Sequence, residues 1–241
     1  MKAVILAGGK GTRLRPYTVG FPKPLVPVGD TPVLDILLQQ LSRAGFNDVT
    51  VSTGHLAELI RAYCGDGSKW ELALDYTLEE TPLHTAGALK LVQTDATEYL
   101  VMNGDVLTTL DYAALMDEHR ASGAQATAVT TTRDFPVEFG VVRTDESGSL
   151  VGWDEKPSHT HEVSMGIYVV SSSAVELIAD GEALGMPDLL MRIIAQGGRV
   201  ATHHTDEYWL DIGRVGDYEQ AQTDFEAERH RFLGPESESD A

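Results

Sequence analysis

Apolar residues in the first half of the chain form short strand-like runs that alternate with longer segments of helical spacing. The short runs predict strands at 2–7, 48–53, 71–77, 99–102 and 125–132. The helical segments lie at 33–44, 56–63, 85–92 and 111–122, and Gly45 marks the end of the first. This βαβ rhythm predicts a mostly parallel sheet with helices on both faces. Ligands of such sheets bind where the strands end at their carboxyl edges.

The second half of the chain is richer in strand patterns. A Ser147-Gly148 turn separates two segments, 139–145 and 150–155, that are typical of an antiparallel pair. A further strand is predicted at 162–170, with helices at 173–179, 187–196 and 217–232. The last residues, 234–241, are small and acidic, which predicts a disordered tail.

Composition narrows the classes of partner. The chain has 241 residues, 42% of them hydrophobic, and this is enough for one substantial core. Its net charge of −19 argues against nucleic acid or an anionic membrane as a partner. Cys64 is the only cysteine, so no disulfide framework is expected. Because no apolar stretch is long enough to span a membrane, we expect a cytoplasmic protein.

The segment after the first strand has the composition of a phosphate-binding loop. Gly8, Gly9 and Gly11 allow a sharp turn that places backbone N–H groups near a phosphate. Arg13 adds a planar set of donors, and Lys23 lies between two prolines that restrict the backbone. The spacing fits neither the P-loop nor the dinucleotide-binding fingerprint. We therefore expect a different loop that holds several phosphates at once.

This loop resembles the signature of the sugar-1-phosphate nucleotidyltransferases, also called nucleotide-sugar pyrophosphorylases, which is G-G-x-G-T-R-L followed by P-K-P. The resemblance continues through Asn-Gly-Asp at 103–105, Phe-Gly-Val-Val at 139–142, Glu-Lys-Pro at 155–157 and Trp-Leu-Asp-Ile-Gly at 209–213. It covers nearly the whole chain. It implies a Rossmann-like three-layer α/β/α fold with a mixed, mostly parallel central sheet, the nucleotide-diphospho-sugar transferase fold.

The resemblance also implies a domain organisation. We expect one nucleotidyltransferase domain over 1–233, with a nucleotide-binding half at about 1–135, a sugar-phosphate-binding half at about 136–215 and a C-terminal helix at about 216–233. No hexapeptide repeat is present, so the sequence is most similar to mannose-1-phosphate guanylyltransferase-like members that have no C-terminal β-helix domain. Homo-oligomers are common in the family, and self-association is a possibility here.

The resemblance assigns roles to individual residues. Arg13, Lys23 and Lys156 become the catalytic residues, and Asp105 and Asp211 become the ligands of Mg²⁺. Magnesium prefers one or two carboxylates completed by substrate phosphates and water, which agrees with so sparse a set. Pro157 favours an extended, fixed Lys156. The nucleotide contacts are Leu6, Ala7, Gly8, Gly9, Gly11, Thr12, Arg13, Glu79, His84, Thr85, Ala86 and Gly87, and the sugar contacts are Asn103, Gly104, Gly140, Glu155, Lys156 and Val163.

The implied reaction joins an NTP to a sugar 1-phosphate and releases an NDP-sugar and pyrophosphate. Thr85-Ala86-Gly87 matches the subgroup that often uses guanine, and Glu79 or Glu80 has acceptors for the N1–H and N2–H₂ groups of that base. His84 departs from the family, which commonly has glycine there. The best match is GTP with mannose 1-phosphate or a related hexose, heptose or cyclitol phosphate.

Other functions remain open at this stage. Within the enzyme class, the alternatives are glucose-1-phosphate thymidylyl-, uridylyl- or cytidylyltransferase. A non-catalytic paralogue that senses nucleotide sugars is a second alternative, although the chain retains Arg13, Lys23, Asp105, Lys156 and Asp211 together. A nucleotide-sugar glycosyltransferase is a third, but the Asp-x-Asp motif of such enzymes is missing near Asp105.

Overall fold

The computed structural model describes residues 1–234. The strands are β1 (Lys2–Ala7), β2 (Pro27–Val28), β3 (Thr31–Pro32), β4 (Asp48–Thr53), β5 (Ala73–Leu78), β6 (Glu98–Asn103), β7 (Val106–Thr108), β8 (Ala126–Pro136), β9 (Val141–Thr144), β10 (Leu150–Asp154), β11 (Ser158–Ser171), β12 (Val200–His204) and β13 (Trp209–Asp211). The helices are α1 (Val33–Arg43), α2 (Ala57–Cys64), α3 (His84–Gly87), α4 (Tyr112–Ser122), α5 (Ser172–Val175), α6 (Met186–Ala195) and α7 (Val215–Leu233). The tail predicted at 234–241 lies, apart from Gly234, outside these residues.

A seven-stranded sheet in the order β12-β8-β11-β6-β1-β4-β5 forms the centre of the molecule. β1 is parallel to both its neighbours, β4 and β6, and the pairs β4–β5 and β8–β12 are also parallel. β11 is antiparallel to both β6 and β8. The predicted mixed, mostly parallel sheet is therefore confirmed. After β1 the chain forms β4 and β5 on one side of β1, and it then returns to form β6 on the other side. This reversal of strand order creates a crevice at the carboxyl ends of β1 and β6.

The two faces of the sheet bury separate apolar clusters. Because side chains alternate along a strand, Ala3 and Ile5 of β1 face one cluster and Val4 faces the other. The first cluster packs against α1, α2, α4 and α7, and the second packs against α5 and α6. The three-layer α/β/α arrangement is thus also confirmed. Throughout residues 1–234, every helix is too short or too polar to cross a bilayer.

Several elements differ from the sequence predictions. β8 and β11 pair as a long ribbon that extends to Pro136 and back to Ser158, well beyond the strands predicted at 125–132 and 162–170. The extension is exposed on both faces, so its sequence has no apolar alternation to reveal it. β5 begins two residues later than predicted because Glu71 has a left-handed backbone. The helix predicted at 85–92 divides into α3 and a 3-10 turn, and the helix predicted at 173–179 ends as α5 at Val175.

Candidate active site

A cavity of about 420 Å³ lies in the crevice at the carboxyl ends of β1 and β6. Four separate segments of the chain form most of its wall. The predicted site residues that line it are Leu6, Ala7, Gly8, Gly9, Lys23, Glu79, His84, Thr85, Asn103, Gly104 and Asp105. Sequence reasoning did not name Pro82 and Gly185, which also line it. Neither residue has a side chain with a functional group, so the sequence offers no chemical reason to select it.

The turn after β1 packs closely against an acidic side chain. A Cβ at Gly8 would lie 2.5 Å from Glu79 Oε1, so any larger residue would displace this carboxylate. Glu79 is held by the backbone N–H of Leu83, 2.9 Å from Oε2, and by the Ser52 hydroxyl, 3.4 Å from Oε1. The carboxylate is therefore fixed beside the glycine-rich turn.

A lysine lies between two carboxylates at the end of β6. The Lys23 ammonium forms an ion pair with Asp105 Oδ2 and lies 3.7 Å from Asp211 Oδ1. The Lys23 side chain is 11% exposed and that of Asp105 is 20% exposed, so the pair is largely shielded from water. Burial raises the pKa of Asp105, and the charge of Asp211 adds to this, whereas Lys23 lowers it. The three groups form one electrostatic unit.

A short antiparallel pair brings the two aspartates together from opposite halves of the chain. β13 pairs with β7, with Asp211 opposite Val106. The backbone N–H of Ile212 donates to the carbonyl of Asp105 over 3.0 Å. Lys23 reaches the same point from a 3-10 turn, Lys23–Leu25, that begins after Pro22. Backbone pairing between β7 and β13 therefore brings Asp105 and Asp211 together.

The rest of the predicted phosphate loop is open to solvent. Gly11 has a left-handed backbone with φ of 59°, and Thr12–Leu14 forms a 3-10 turn. Thr12 and Arg13 are exposed. Within residues 1–234, Arg13 forms no ion pair, so its guanidinium is available to an anionic ligand.

Two of the predicted nucleotide contacts face away from the cavity. Ala86 and Gly87 are buried, and their N–H groups donate to the carbonyl of Leu184 over 2.9 and 3.0 Å. The Thr85 hydroxyl accepts from the N–H of Met186 over 2.7 Å. These three residues dock the loop onto the start of α6. Their packing gives a structural reason for their small size.

The predicted sugar contacts divide into two groups. Asn103 and Gly104 line the cavity. Gly140, Glu155, Lys156 and Val163 do not; they lie on or beside the β9–β10 pair and β11. A Cβ at Gly140 would lie 2.5 Å from the ring of Trp153, so this backbone is covered by an indole.

The prediction of an extended backbone at Lys156 is wrong. Lys156 has φ of 44°, in the left-handed region, instead of the extended conformation that Pro157 favours. The residue ends a tight turn between β10 and β11, and the turn imposes this conformation. Lys156 and Glu155 are both exposed, and Glu155 accepts from the indole N–H of Trp153 over 2.9 Å.

The donor set at the end of β6 fits a hard divalent cation that shares its shell with a ligand. Residues 1–234 contain no cluster of three or more His, Cys, Asp or Glu side chains able to hold a metal alone. Asp105 and Asp211 provide two carboxylates around one point, and the Lys23 ammonium there offsets one of their two negative charges. Magnesium characteristically takes one or two carboxylates and completes its shell with phosphate oxygens and water.

The chain belongs to the nucleotidyl transferase family, whose sequence model matches residues 2–228. The expected family is therefore confirmed. Among curated relatives, a UTP–glucose-1-phosphate uridylyltransferase from Synechocystis sp. is 36% identical over 92% of this chain. A mannose-1-phosphate guanylyltransferase from Mycobacterium tuberculosis is 34% identical, also over 92% of the chain. The matched regions make up 62% and 64% of these two relatives' own lengths.

Solved structures share the fold. A putative glucose-1-phosphate thymidylyltransferase from Bacillus anthracis superposes with a TM-score of 0.75 at 24% identity, over 92% of this chain and 94% of its own. HddC from Yersinia pseudotuberculosis complexed with GMP-PN gives a TM-score of 0.72 at 25% identity, over 93% of this chain and 99% of its own.

Proposed function

We propose that this chain transfers a nucleotidyl group from an NTP to a sugar 1-phosphate and releases pyrophosphate. One observation carries the proposal: Lys23, Asp105 and Asp211 meet at the carboxyl end of β6, beside the glycine-rich turn that follows β1. An ammonium and a pair of carboxylates next to free backbone N–H groups suit a triphosphate and its counter-ion.

The reaction needs no general base, because the phosphate of a sugar 1-phosphate is ionised near neutral pH. An oxygen of this phosphate attacks the α-phosphorus of the NTP. The bond from the α-phosphorus to the oxygen that bridges it to the β-phosphorus breaks, and pyrophosphate leaves with the electron pair. Alignment and charge neutralisation then supply the rate enhancement. Lys23 would act at the α-phosphate, and Arg13 with the N–H groups of 8–12 would stabilise the departing pyrophosphate.

Magnesium is the proposed ion, with Asp105 and Asp211 as its protein ligands. When bound, it would supply positive charge that neutralises phosphate oxygens. The Lys23 ammonium now pairs with these same carboxylates. Binding of the ion would release Lys23 for contact with substrate phosphate.

The sugar phosphate is proposed to bind on the side of the β10–β11 turn. Lys156 would hold the attacking phosphate, and Glu155 would accept from sugar hydroxyls, with Asn103 and Gly104 at the cavity floor. Within residues 1–234, Lys156 has no carboxylate partner in an ion pair, so its ammonium is available. The same proposal divides the domain into a nucleotide-binding half and a sugar-phosphate-binding half. It also places the protein in the cytoplasm.

The proposed substrates are GTP and mannose 1-phosphate or a related sugar phosphate. Two features support guanine: the fixed carboxylate of Glu79 in the cavity, and relatives named as mannose-1-phosphate guanylyltransferases. The Synechocystis relative favours a second candidate, UTP with glucose 1-phosphate.

A matrix of NTPs against sugar 1-phosphates, scored for pyrophosphate release, tests the proposal. We expect turnover with at least one pair, and loss of a hundredfold or more in Arg13→Ala and Lys23→Ala, since deleting one transition-state donor typically costs about 2.7–4 kcal/mol. Arg61→Ala is a matched control, because Arg61 lies over the ring of Tyr76 away from the cavity. Near-normal release by both the Arg13 and the Lys23 variant would refute the assignment.

A further inference from the structure

Two arms of one loop carry the cations to which the proposed function assigns catalytic roles. This loop, residues 8–27, is called the cation loop below; its first arm contains Arg13 and its second contains Lys23. Arg13 is exposed, whereas Lys23 is shielded beside Asp105. Because both cations would act on one triphosphate, the position of each arm relative to the other has to be fixed.

Backbone turns make the first arm a short, rigid unit. The N–H of Leu14 donates to the carbonyl of Gly11 over 3.0 Å, and the N–H of Tyr17 donates to the carbonyl of Leu14 over 3.1 Å. The Thr18 hydroxyl closes the arm by donating to the carbonyl of Gly11 over 2.6 Å. Arg13 lies inside these turns, so a displacement of Tyr17 would carry Arg13 with it.

The second arm is stiffened by prolines as well as by hydrogen bonds. The N–H of Leu25 donates to the carbonyl of Pro22 over 2.9 Å, and the N–H of Val26 donates to the carbonyl of Lys23 over 3.1 Å. Proline occupies three of the six positions 22–27, and each proline ring restricts its own φ. The carbonyl of Pro27 therefore has a nearly fixed position relative to Lys23.

Two side chains of α7 contact the ends of both arms. The ring of Tyr218 lies 4.8 Å from the ring of Tyr17, centroid to centroid, and its hydroxyl donates to the carbonyl of Pro27 over 2.9 Å. Gln222, one helical turn later, donates from Nε2 to the same carbonyl over 2.9 Å. Its Oε1 accepts from the N–H of Gly29 over 2.6 Å. This face of α7 joins the two arms of the cation loop.

The same helix follows directly after one of the two site aspartates. Asp211 ends β13, and α7 begins at Val215. Tyr218 lies in the first turn of α7, where its N–H donates to the carbonyl of Arg214 over 3.0 Å. The start of α7 therefore links the cation loop to the segment that carries Asp211. The Lys23 ammonium lies 3.7 Å from Asp211 Oδ1, and a misplacement of about 1 Å can lower a rate by about a hundredfold.

Resting on the proposed function, we propose that Tyr218 and Gln222 are positioning residues for the transfer reaction. They brace both arms of the cation loop on α7 and so set Arg13 and Lys23 against Asp211. Neither side chain lines the cavity, so each acts through the loop and not on the substrate.

The test compares Tyr218→Phe, Gln222→Met and the double variant with wild-type protein. Tyr218→Phe keeps the ring beside Tyr17 and removes the donor to Pro27, and Gln222→Met removes the second donor to that carbonyl. Pyrophosphate release gives kcat and KM for the nucleotide. We expect kcat to fall about tenfold in the double variant and less in each single variant, with KM within about twofold of wild type, because Lys23 would act in the transition state.

Chemical labelling of Lys23 provides a readout that needs no turnover. The Lys23 side chain is 11% exposed, and a displaced second arm would open it to solvent. We expect acetylation of Lys23 by acetic anhydride, followed by mass spectrometry, to be about threefold faster in the double variant, since local opening governs access to a shielded group. Lys2 is the internal control: its side chain is 2% exposed and pairs with Asp48 away from the cation loop. General loosening of the protein would expose Lys2 as well.

Two matched control variants change the same residue types at other contacts of α7. Tyr208→Phe removes a hydroxyl that donates to Asp224, and Gln220→Met removes an amide that donates to the same carboxylate. Both should leave kcat and the labelling of Lys23 unchanged.

Three results would overturn the inference. They are a folded double variant with wild-type kcat, one with wild-type labelling of Lys23, and equal effects in the Tyr208 and Gln220 controls. If wild type releases no pyrophosphate from any pair of NTP and sugar 1-phosphate, the proposed function fails. The labelling of Lys23 against Lys2 then decides alone whether Tyr218 and Gln222 position the lysine.

Discussion

At the scale of single residues, the site is defined by which charges face one another. Lys23 is the central group, because its single ammonium lies within ion-pair distance of both Asp105 and Asp211 and offsets one of their two negative charges. The sequence signature indicated all three residues, but it assigned the lysine to phosphate and the aspartates to metal. In the structure the Lys23 ammonium occupies the position that the proposed ion would take beside the two aspartates. An ammonium and a divalent ion cannot both lie between the same carboxylate oxygens.

Lys23→Met should therefore strengthen the binding of Mn²⁺ in the absence of nucleotide. Two carboxylates left without their ammonium attract a dication more strongly, and we expect at least a tenfold lower Kd by electron paramagnetic resonance titration. Lys69→Met is the control, since Lys69 pairs with Asp35 outside the cavity. An unchanged Kd in a folded Lys23→Met protein would show that Lys23 and the ion do not compete.

His84 shows the limit of sequence reading at this scale. The sequence shows only a histidine, whereas its left-handed backbone is held by hydrogen bonds of the flanking residues with Leu184, a hundred residues later in the chain. Lys156 is similar: Pro157 favours an extended neighbour, and the turn into β11 overrides that preference. Local propensity does not contain these tertiary constraints.

At the scale of elements, the helices are held by polar contacts as well as by apolar packing. Asp35 in the first turn of α1 is buried and accepts four hydrogen bonds. Oδ1 accepts from Gln39 and Trp70 at 2.8 and 2.9 Å, and Oδ2 accepts from Tyr63 and Lys69 at 2.5 and 2.7 Å. Burial alone would raise the pKa of Asp35, but these hydrogen bonds outweigh it and lower the pKa. The network ties α1 to α2 and to the segment before β5.

Asp35→Asn should destabilise the protein by about 1–3 kcal/mol at pH 7, because donors lose their acceptor in a buried place. A carboxylate whose folded pKa is lowered contributes stability above its ordinary pKa, about 3.9, and loses it as pH falls through the folded value. The difference in free energy of unfolding between Asp35→Asn and wild type should therefore shrink below about pH 4.

Urea unfolding from pH 7 to pH 3 measures this difference. Asp75→Asn, an exposed position on β5, serves as control and should change stability little. A difference for Asp35→Asn that stays constant across the series would contradict the assigned network.

The elements that carry periodic apolar patterns were predictable, and those that position the site were not. β1, β4 and α1 match their predicted bounds to within one residue because each has a buried face. β7 and β13 have three residues each and no periodic signal, yet their pairing places Asp211 beside Asp105. The sequence predicted the site residues through family motifs. The elements that join them depend on contacts between distant parts of the chain.

At the scale of the whole molecule, a strongly acidic protein places several cations close together at one loop, the proposed triphosphate site. The net charge is −19, but Lys10, Arg13 and Lys23 all lie in or near the loop that follows β1. Local charge rather than net charge decides binding of a small anion, whereas net charge repels phosphate polymers. The family match over residues 2–228 and the shared fold agree with a protein that binds a small anion and not a phosphate polymer.

The most direct measurement follows the atoms of the sugar phosphate. Wild-type protein is mixed with GTP, Mg²⁺ and mannose 1-phosphate whose phosphate carries ¹⁸O, and the masses of the products are measured by mass spectrometry. If the sugar phosphate attacks the α-phosphorus, the NDP-sugar retains every labelled oxygen and the pyrophosphate carries none. Label in pyrophosphate or in free phosphate, or absence of an NDP-sugar for every NTP and sugar 1-phosphate tried in the same way, would contradict nucleotidyl transfer at this site.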